Sequence, residues 1–180
     1  MSEISITEMS NVSLQTREVF ESDIGYFTNT HNAEMRQELF VQDSISFIKK
    51  AATVKGLHLQ NPPFAQAKLV TVLQGEIIDY IVDLRSSSKT YLRYAKVRIS
   101  QENKNLLFIP RGFAHGYITT EANTMVSYKV DNQYSPNHEI TINWQDNVLN
   151  LEWPEFNQYF LSEKDKNSKT LKELEIYQNE

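Results

Sequence analysis

Short apolar or alternating runs, separated by turn-forming residues, dominate this chain from residue 47 onward. They include KLVTVLQGEIIDYIVDL, KVRIS, LLFIP, YITT, TMVSYKV and EITINW, with polar stretches such as SSS, SQENKN and DNQYSPN between them. Turn signals at intervals of about 8–12 residues are typical of sandwiches and barrels built from β-strands. The sequence therefore predicts a mainly β domain. Gly75, inside an apolar run, predicts a hairpin turn or a bulge at a corner.

The two ends of the chain differ from this pattern. Residues 4–20 carry β-branched runs with polar residues interleaved, and AEMRQEL further along is compatible with a short helix. After residue 154 the chain is polar. There NSKTLKELEIYQ predicts a helix capped by Asn167 or Ser168, with one side formed by Leu171, Leu174 and Tyr177. We expect one domain over residues 1–180, with a core at about 17–154 and a C-terminal helical tail.

Composition excludes several classes of protein. The formal net charge of −5 argues against a nucleic-acid binder, which would present a basic face. No stretch approaches the roughly 18 consecutive apolar residues of a membrane helix, and the first residues lack the features of a secretory signal. Because the chain has no cysteine, neither disulfides nor thiolate metal sites can form. A cytoplasmic location is the simplest interpretation.

His58 is the strongest candidate for chemistry among the four histidines. His31 and His138 lie in polar, turn-like surroundings typical of surface positions. His58, in VKGLHLQ, lies at the edge of a predicted strand, where alternation would put Lys55 and Leu57 on one face and His58 on the other. If that second face lines a cavity, the imidazole can transfer protons. A buried histidine bonded to backbone is the structural alternative.

A second histidine, His115, lies in IPRGFAHGY between Gly112 and Gly116, which we expect to bracket a tight turn. Two histidines on neighbouring strands favour either a metal site or acid–base catalysis. Metal-binding β-barrels usually show His-x-His, whereas here Gln60 follows His58 two residues later. Zinc or iron usually requires at least three protein ligands. The sequence therefore favours acid–base chemistry over a metal.

Six motifs, in order along the chain, carry a resemblance to a known family. They are GLHLQ, PPFAQAKLV, GEIIDYIVDLR, SQEN followed by IPRGFAHGY, SYKVDNQYSP and NLEWP. Together they resemble the dTDP-4-dehydrorhamnose 3,5-epimerase family over roughly residues 17–165. The resemblance implies a cupin-like antiparallel β-barrel of the jelly-roll type, with short peripheral helices. It also implies a homodimer with swapped N-terminal strands, a sugar-nucleotide substrate, and no metal or organic cofactor.

The resemblance also assigns roles to individual residues. It implies that His58 is the catalytic base, Asp165 its acidic partner, Tyr128 the general acid, and Lys68 the residue that faces the substrate carbonyl. A ketone at C4 acidifies the protons at C3 and C5, so a base, an oxyanion partner and an acid on the opposite face suffice for inversion. The residues implied in substrate binding are Gln42, Asp43, Ser44, Lys55, His115, Tyr134, Glu139 and Lys164.

Several positions depart from the family pattern. In ESDIGYF, Ile24 stands where the family has the arginine of Asp-x-Arg-Gly, and Asn29 replaces an acidic residue. Ser44 replaces asparagine, and Lys55 replaces the arginine just ahead of Gly-Leu-His. A lysine offers a point charge in place of a bidentate guanidinium, so the diphosphate would be held differently. The four residues that the resemblance assigns to catalysis are all present. They indicate an epimerase of 4-keto sugar nucleotides more strongly than they indicate a place in any one biosynthetic pathway.

Two other functions fit parts of the same pattern. One is a sugar-nucleotide 3,4-ketoisomerase, which would share the barrel and move the carbonyl. The other is a barrel that binds a sugar nucleotide without catalysis. The replacements at positions 24 and 29 are consistent with this alternative. Tyr128 and Asp165 favour epimerisation.

Overall fold

A computed structural model describes residues 2–32 and 39–174 of the chain. Within these ranges the chain forms twelve strands, one short α-helix and three single 3₁₀ turns. The helix is α1 (Glu163–Lys166), and the turns are Ile6–Glu8, Pro136–His138 and Leu171–Glu173. The strands are β1 (Ser13–Thr16), β2 (Val19–Ser22), β3 (Gly25–Thr28), β4 (Gln42–Ile48), β5 (Val54–Gln60), β6 (Lys68–Gln74), β7 (Glu76–Asp83), β8 (Tyr94–Ser100), β9 (Asn105–Ile109), β10 (Phe113–Thr119), β11 (Thr124–Val130) and β12 (Glu139–Thr141).

Two five-stranded antiparallel sheets form the body of the protein. The front sheet has the order β1-β9-β6-β11-β4, and the back sheet has the order β12-β5-β10-β7-β8. β2 and β3 pair only with each other. Apolar side chains of both sheets, such as Val72, Ile81 and Leu107, pack into one buried cluster between them. Every second residue of a strand faces this cluster, and apolar and polar residues therefore alternate along the strands.

The sheets form a sandwich. The prediction of a closed barrel is wrong in this respect, while the prediction of a mainly β fold is confirmed. Among the described strands, hydrogen-bonded pairing stays within each sheet, so no pair of neighbouring strands joins the two edges into a barrel. Side-chain packing holds the two sheets together.

Gly75 marks a crossing between the sheets. β6 ends at Gln74 in the front sheet and β7 begins at Glu76 in the back sheet, so one residue makes the corner. Its φ of +76° is a conformation that favours glycine, and an added Cβ would lie 2.5 Å from Thr124 Oγ1. Of the two structures predicted for Gly75, the corner is the one that forms.

The C-terminal segment packs without forming the predicted helical tail. Residues 167–174 contain a single 3₁₀ turn, and residues 175–180 lie outside the described part. The backbone here bonds to other segments: Asn143 N donates to Lys169 O at 2.8 Å, and Leu171 N donates to Asp146 Oδ2 at 2.7 Å. These tertiary bonds, with Leu171 packed against the outer face of the back sheet, outweigh helix propensity. The helix expected for AEMRQEL falls almost wholly on residues 33–38, which also lie outside the described part.

Candidate active site

A cavity of about 440 Å³ opens between the two sheets and collects most of the predicted site residues. It is lined from the back sheet by β5 and β10 and from the front sheet by β6, β11 and the start of β4. The C-terminal segment closes one side through α1. The predicted residues that line the cavity are Gln42, Lys55, His58, Lys68, His115, Tyr128, Tyr134, Glu139, Lys164 and Asp165.

A register shift in β5 brings Lys55 and His58 onto the same face. His58 pairs with His115 and Lys55 pairs with Tyr117, so three steps of β5 oppose two of β10. The expectation from simple alternation, that Lys55 faces away from His58, is therefore wrong. Gly116 makes the irregularity possible, since an added Cβ would lie 2.6 Å from Lys55 O.

Gly116 is thus a strand residue of β10 and does not belong to a turn, contrary to the expectation for GFAHG. The turn ends at Gly112, whose φ is +84°.

His58 and Asp165 form a hydrogen-bonded pair at the cavity wall. His58 Nε2 lies 2.8 Å from Asp165 Oδ1, and the aspartate side chain is only 2 % exposed. The carboxylate also accepts from Gly56 N at 3.2 Å and from Ser162 Oγ at 2.6 Å. Burial opposes ionisation of Asp165, but the bonds from His58 and Ser162 outweigh it and lower the pKa of the carboxyl. An ionised carboxylate therefore orients the imidazole.

Lys68 reaches across the cavity from the front sheet. Its Nζ donates to the backbone carbonyl of His58 at 3.4 Å, so the ammonium lies beside the imidazole-bearing strand. Burial lowers the pKa of Lys68 to about 8, while the carboxyls of Asp79 and Glu139 act against this shift. Near neutral pH the ammonium form prevails, and it is the natural partner of a developing negative oxygen.

Asp79 lies behind His115, a residue of the cavity lining, and the sequence did not point to it. It is fully buried on β7, and both its carboxyl oxygens lie 3.3 Å from His115 Nδ1. Burial raises the pKa of Asp79, although Lys68 opposes this, and burial together with Lys68 and His58 lowers the pKa of His115. His115 is therefore a neutral imidazole with a fixed orientation, able to hydrogen-bond a ligand through its other nitrogen.

Tyr128 faces His58 from the opposite sheet. It lies on β11 of the front sheet, between Val126 and Val130, which line the same cavity wall. Burial, followed by the negative charge of Glu139, raises the pKa of its hydroxyl, so the phenol remains protonated. An imidazole and a protonated phenol thus lie on the two walls of one cavity.

Polar side chains at the mouth are linked to one another. Tyr134 donates its hydroxyl hydrogen bond to Glu139, which also forms an ion pair with Lys164. Burial alone would raise the pKa of Glu139, yet the bonds from Lys164 and Tyr134 lower it. The side chain of Tyr134 is half exposed.

Two predicted binding residues do not line the cavity. Asp43 is exposed. It points away from the cavity and forms an ion pair with Lys129 of the neighbouring strand β11. Ser44 accepts a hydrogen bond from Gln42 Nε2 at 3.1 Å. Ile24, at the turn between β2 and β3, is 99 % exposed and lies outside the cavity lining.

Neither metal-ligand clusters nor membrane helices are found over residues 2–32 and 39–174. No group of three or more His, Asp or Glu side chains there could hold a metal ion. None of the helices in those ranges is long and apolar enough to cross a membrane.

Comparison with known proteins places this geometry in context. The family model described as dTDP-4-dehydrorhamnose 3,5-epimerase matches residues 6–173. A relative from Methanothermobacter thermautotrophicus, named dTDP-4-dehydrorhamnose 3,5-epimerase, is 40% identical over 167 residues, which are 89% of this chain and 89% of the relative.

Solved structures of epimerases are also similar to this chain. The chain is similar to dTDP-4-dehydrorhamnose 3,5-epimerase from Bacillus anthracis with TDP and PPi bound, with 38% identity and a TM-score of 0.87 over 94% of this chain and 97% of that one. It is also similar to dTDP-6-deoxy-D-glucose-3,5-epimerase from Legionella pneumophila in complex with dTDP-4-keto-L-rhamnose. That likeness has 33% identity and a TM-score of 0.86, over 91% of this chain and 89% of the other.

Proposed function

The chain belongs to the dTDP-4-dehydrorhamnose 3,5-epimerase family, and we propose that it inverts C3, C5 or both of a 4-keto-6-deoxyhexose carried on a nucleoside diphosphate. One observation carries the proposal. A histidine paired with a buried carboxylate and a protonated tyrosine line opposite walls of one cavity. Inversion requires a proton to leave one face of a carbon and another to arrive on the opposite face.

His58 is the base in this proposal. The protons at C3 and C5 are acidified by the neighbouring carbonyl but remain weakly acidic, so the base must be held in place. Asp165 accepts from Nε2 of the imidazole, which leaves the other ring nitrogen to take the proton. The buried charge of Asp165 then stabilises the imidazolium that forms.

Lys68 stabilises the enolate. Negative charge develops on the C4 oxygen as the proton leaves, and a fixed cation in a shielded cavity lowers the energy of that state. His115 can form a further hydrogen bond to the sugar through its other ring nitrogen, because Asp79 fixes its orientation. The net reaction moves protons alone, so these side chains can supply each step.

Tyr128 returns the proton from the front-sheet wall. Its raised pKa keeps the hydroxyl protonated until the strongly basic enolate carbon forms. Delivery from the wall opposite His58 inverts the centre. The linked residues Tyr134, Glu139 and Lys164 at the mouth are suited to the nucleotide end of the substrate, with the tyrosine ring stacking on the base.

A homodimer in which the N-terminal strands reach the partner is part of the proposal. β4 is an edge strand of the front sheet, and its outer residues Ile45 and Phe47 are 60 % and 51 % exposed. Phe20 and Phe27 on the β2–β3 hairpin are exposed as well. Exposed apolar edges invite pairing with a second chain. A monomer that does not associate with rising concentration in sedimentation would contradict this part.

Deuterium exchange tests the chemistry. The protein is incubated in heavy water with 4-keto-6-deoxyhexoses on several nucleotides, and C3 and C5 are followed by NMR. We expect deuterium to enter as configuration inverts, and His58→Asn to lower the exchange rate about 10²–10⁴-fold. His138→Asn is the control, since His138 bonds Ser135 outside the cavity lining. Binding without exchange by the parent protein would show a non-catalytic binder. Movement of the carbonyl to C3 would show a ketoisomerase.

A further inference from the structure

The backbone on both sides of Tyr134 is bonded to one side chain, that of Gln60. Gln60 Nε2 donates to Gln133 O at 3.1 Å, and Gln60 Oε1 accepts from Ser135 N at 2.7 Å. The two bonds bracket Tyr134. The amide of Gln60 therefore holds the piece of backbone from which the Tyr134 ring projects.

The second N–H of the same amide reaches a neighbouring loop. Gln60 Nε2 also donates to Phe64 O at 2.6 Å, which ties residues 61–67, after β5, to residues 131–138, between β11 and β12. A primary amide has two N–H donors, and both are used here. Gln60 is only 5 % exposed. Although it lines the cavity, it has no donor left for a ligand and acts through the loops.

The hydroxyl end of Tyr134 is held from the same place on the sheet. The hydroxyl donates to Glu139. Glu139 of β12 lies directly opposite Gln60 of β5 in the antiparallel register. Side chains of directly opposite residues project from the same face of a sheet. One cross-strand pair thus holds Tyr134 at both ends, by its backbone and by its hydroxyl.

This anchor has a fixed place relative to His58. Gln60 follows His58 by two residues on β5, and both side chains line the cavity. The pairing of β5 with β12 runs from His58 to Gln60 without a shift, so the strand is regular between them. The separation between the imidazole and the anchor of Tyr134 is therefore set by one stretch of strand.

We propose that Gln60 is a positioning residue for the nucleotide end of the substrate, and that it holds Tyr134 at a fixed separation from His58. The proposal rests on the proposed function, in which Tyr134 stacks on the base, and deepens it. The Tyr134 side chain is half exposed, so packing alone holds it weakly. A ring that is already in place binds more tightly than one whose loop must be ordered on binding.

Other bonds join the same two loops and would survive the loss of the Gln60 amide. Asn132 Nδ2 donates to Pro63 O at 3.1 Å and to Ala65 O at 3.3 Å. A variant of Gln60 should therefore keep the loops together and lose the bonds that bracket Tyr134. This makes the role of Gln60 measurable in a folded protein.

Nucleotide binding by Gln60→Met tests the proposal. Methionine is of similar length and forms none of the three bonds. The dissociation constants of thymidine, uridine, cytidine, adenosine and guanosine diphosphates are measured by titration calorimetry. KM and kcat are measured with the 4-keto sugar nucleotide that the parent converts. We expect Kd and KM to rise about 10-fold, which is the order of one base–aromatic stack. The value of kcat should stay within about threefold, because a contact made equally in substrate and transition state affects KM alone.

A double-mutant cycle shows whether Gln60 acts through the ring. Tyr134→Ala should itself weaken binding of the best nucleoside diphosphate about 10-fold. When Gln60→Met is added to Tyr134→Ala, we expect a further loss of less than about twofold, because both changes remove the same contact. A general loosening of the site would weaken binding in both backgrounds equally.

Asn103→Leu is the matched control. The amide of Asn103 also makes three bonds to backbone, donating to Arg98 O and accepting from Ser100 N and Asn105 N. It lies in the turn between β8 and β9, outside the cavity lining. Asn103→Leu should lose stability in urea unfolding, as Gln60→Met does, and should keep the Kd and KM of the parent.

Gln60→Glu serves as a second variant should the methionine variant fail to fold. It keeps an oxygen for Ser135 N and loses both N–H donors, so Kd should rise in the same direction. The proposal is overturned if folded Gln60 variants bind within about twofold of the parent, or if their loss adds in full to that of Tyr134→Ala. Equal weakening in Asn103→Leu, or a parent that binds none of the five diphosphates, would also overturn it. A parent that binds a diphosphate but exchanges no proton at C3 or C5 would contradict the proposed function alone, since the binding measurements require no turnover.

Discussion

Replacing Asp165 with asparagine removes the charge behind the imidazole while leaving the shape of the side chain unchanged. The carboxylate accepts three hydrogen bonds, from His58 at 2.8 Å, Gly56 at 3.2 Å and Ser162 at 2.6 Å. A bond to a charged group contributes about 1 kcal/mol more than a neutral one, so the variant should lose about 3 kcal/mol of unfolding free energy. Without the charge, the imidazolium is less stable, and proton exchange should slow about 10²–10⁴-fold.

The pH dependence of stability follows from the same carboxyl. Because its folded-state pKa is lowered, Asp165 stabilises the protein above its unfolded pKa of about 4, and this contribution is lost as pH falls through the folded value. The stability difference between parent and Asp165→Asn, measured by urea unfolding, should therefore be constant near neutral pH and shrink in acid.

A matched control separates catalysis from stability. Asp146 is as buried as Asp165, and it also accepts three hydrogen bonds, from the backbone of Val148, Leu149 and Leu171. Asp146 lies outside the cavity lining, so Asp146→Asn should lose comparable stability and keep the exchange rate. The reasoning is refuted if folded Asp165→Asn exchanges within about threefold of the parent, or if Asp146→Asn slows exchange equally.

Three further predictions concern the oxyanion, the acid and the packing of the site. Lys68→Met should slow exchange about 10²–10³-fold and remove the fall in kcat/KM that we expect in the parent above pH 8, where an ammonium with a pKa of about 8 loses its proton. In Tyr128→Phe, deuterium should enter the carbon that Tyr128 serves faster than inverted product appears, as NMR will measure; equal rates would contradict its role as the acid. Gly116→Ala should lose about 1–3 kcal/mol in urea unfolding, because the new Cβ meets Lys55 O at 2.6 Å.

The strand pattern could be predicted because it is local. Alternation of apolar and polar residues depends on neighbours along the chain, and runs such as TMVSYKV form strands where the sequence indicates them. The sandwich was harder to distinguish from a barrel, since closure depends on which edges pair and both architectures bury alternate residues.

The register of β5 could not be predicted, because its cause lies on another strand. Simple alternation separates Lys55 from His58, but close contact between the glycines of β5 and β10 inserts an extra residue and brings the two together. The resemblance to a known family placed Lys55 in the site without explaining how it gets there.

Asp79 was missed because its sequence signal is ambiguous. Two aspartates, Asp79 and Asp83, interrupt one apolar strand on the same face, and both are fully buried. Asp83 is bonded by Arg85, Ser88 and Thr90 in a local turn, whereas Asp79 is bonded to His115, which lines the cavity. A buried carboxyl needs a partner, but only the fold determines whether that partner is structural or catalytic.

The C-terminal segment has little regular structure, yet it supplies the carboxylate that is bonded to His58. Phe160 pairs with the start of β5, donating to Ala52 O at 3.0 Å and accepting from Val54 N at 2.8 Å. Five residues later Asp165 reaches the same strand at Gly56, capped by Ser162. The backbone bonds fix the segment against β5, and β5 carries His58, so the imidazole and the carboxylate are positioned by one strand. A carboxylate on an unattached segment would lack that fixed distance.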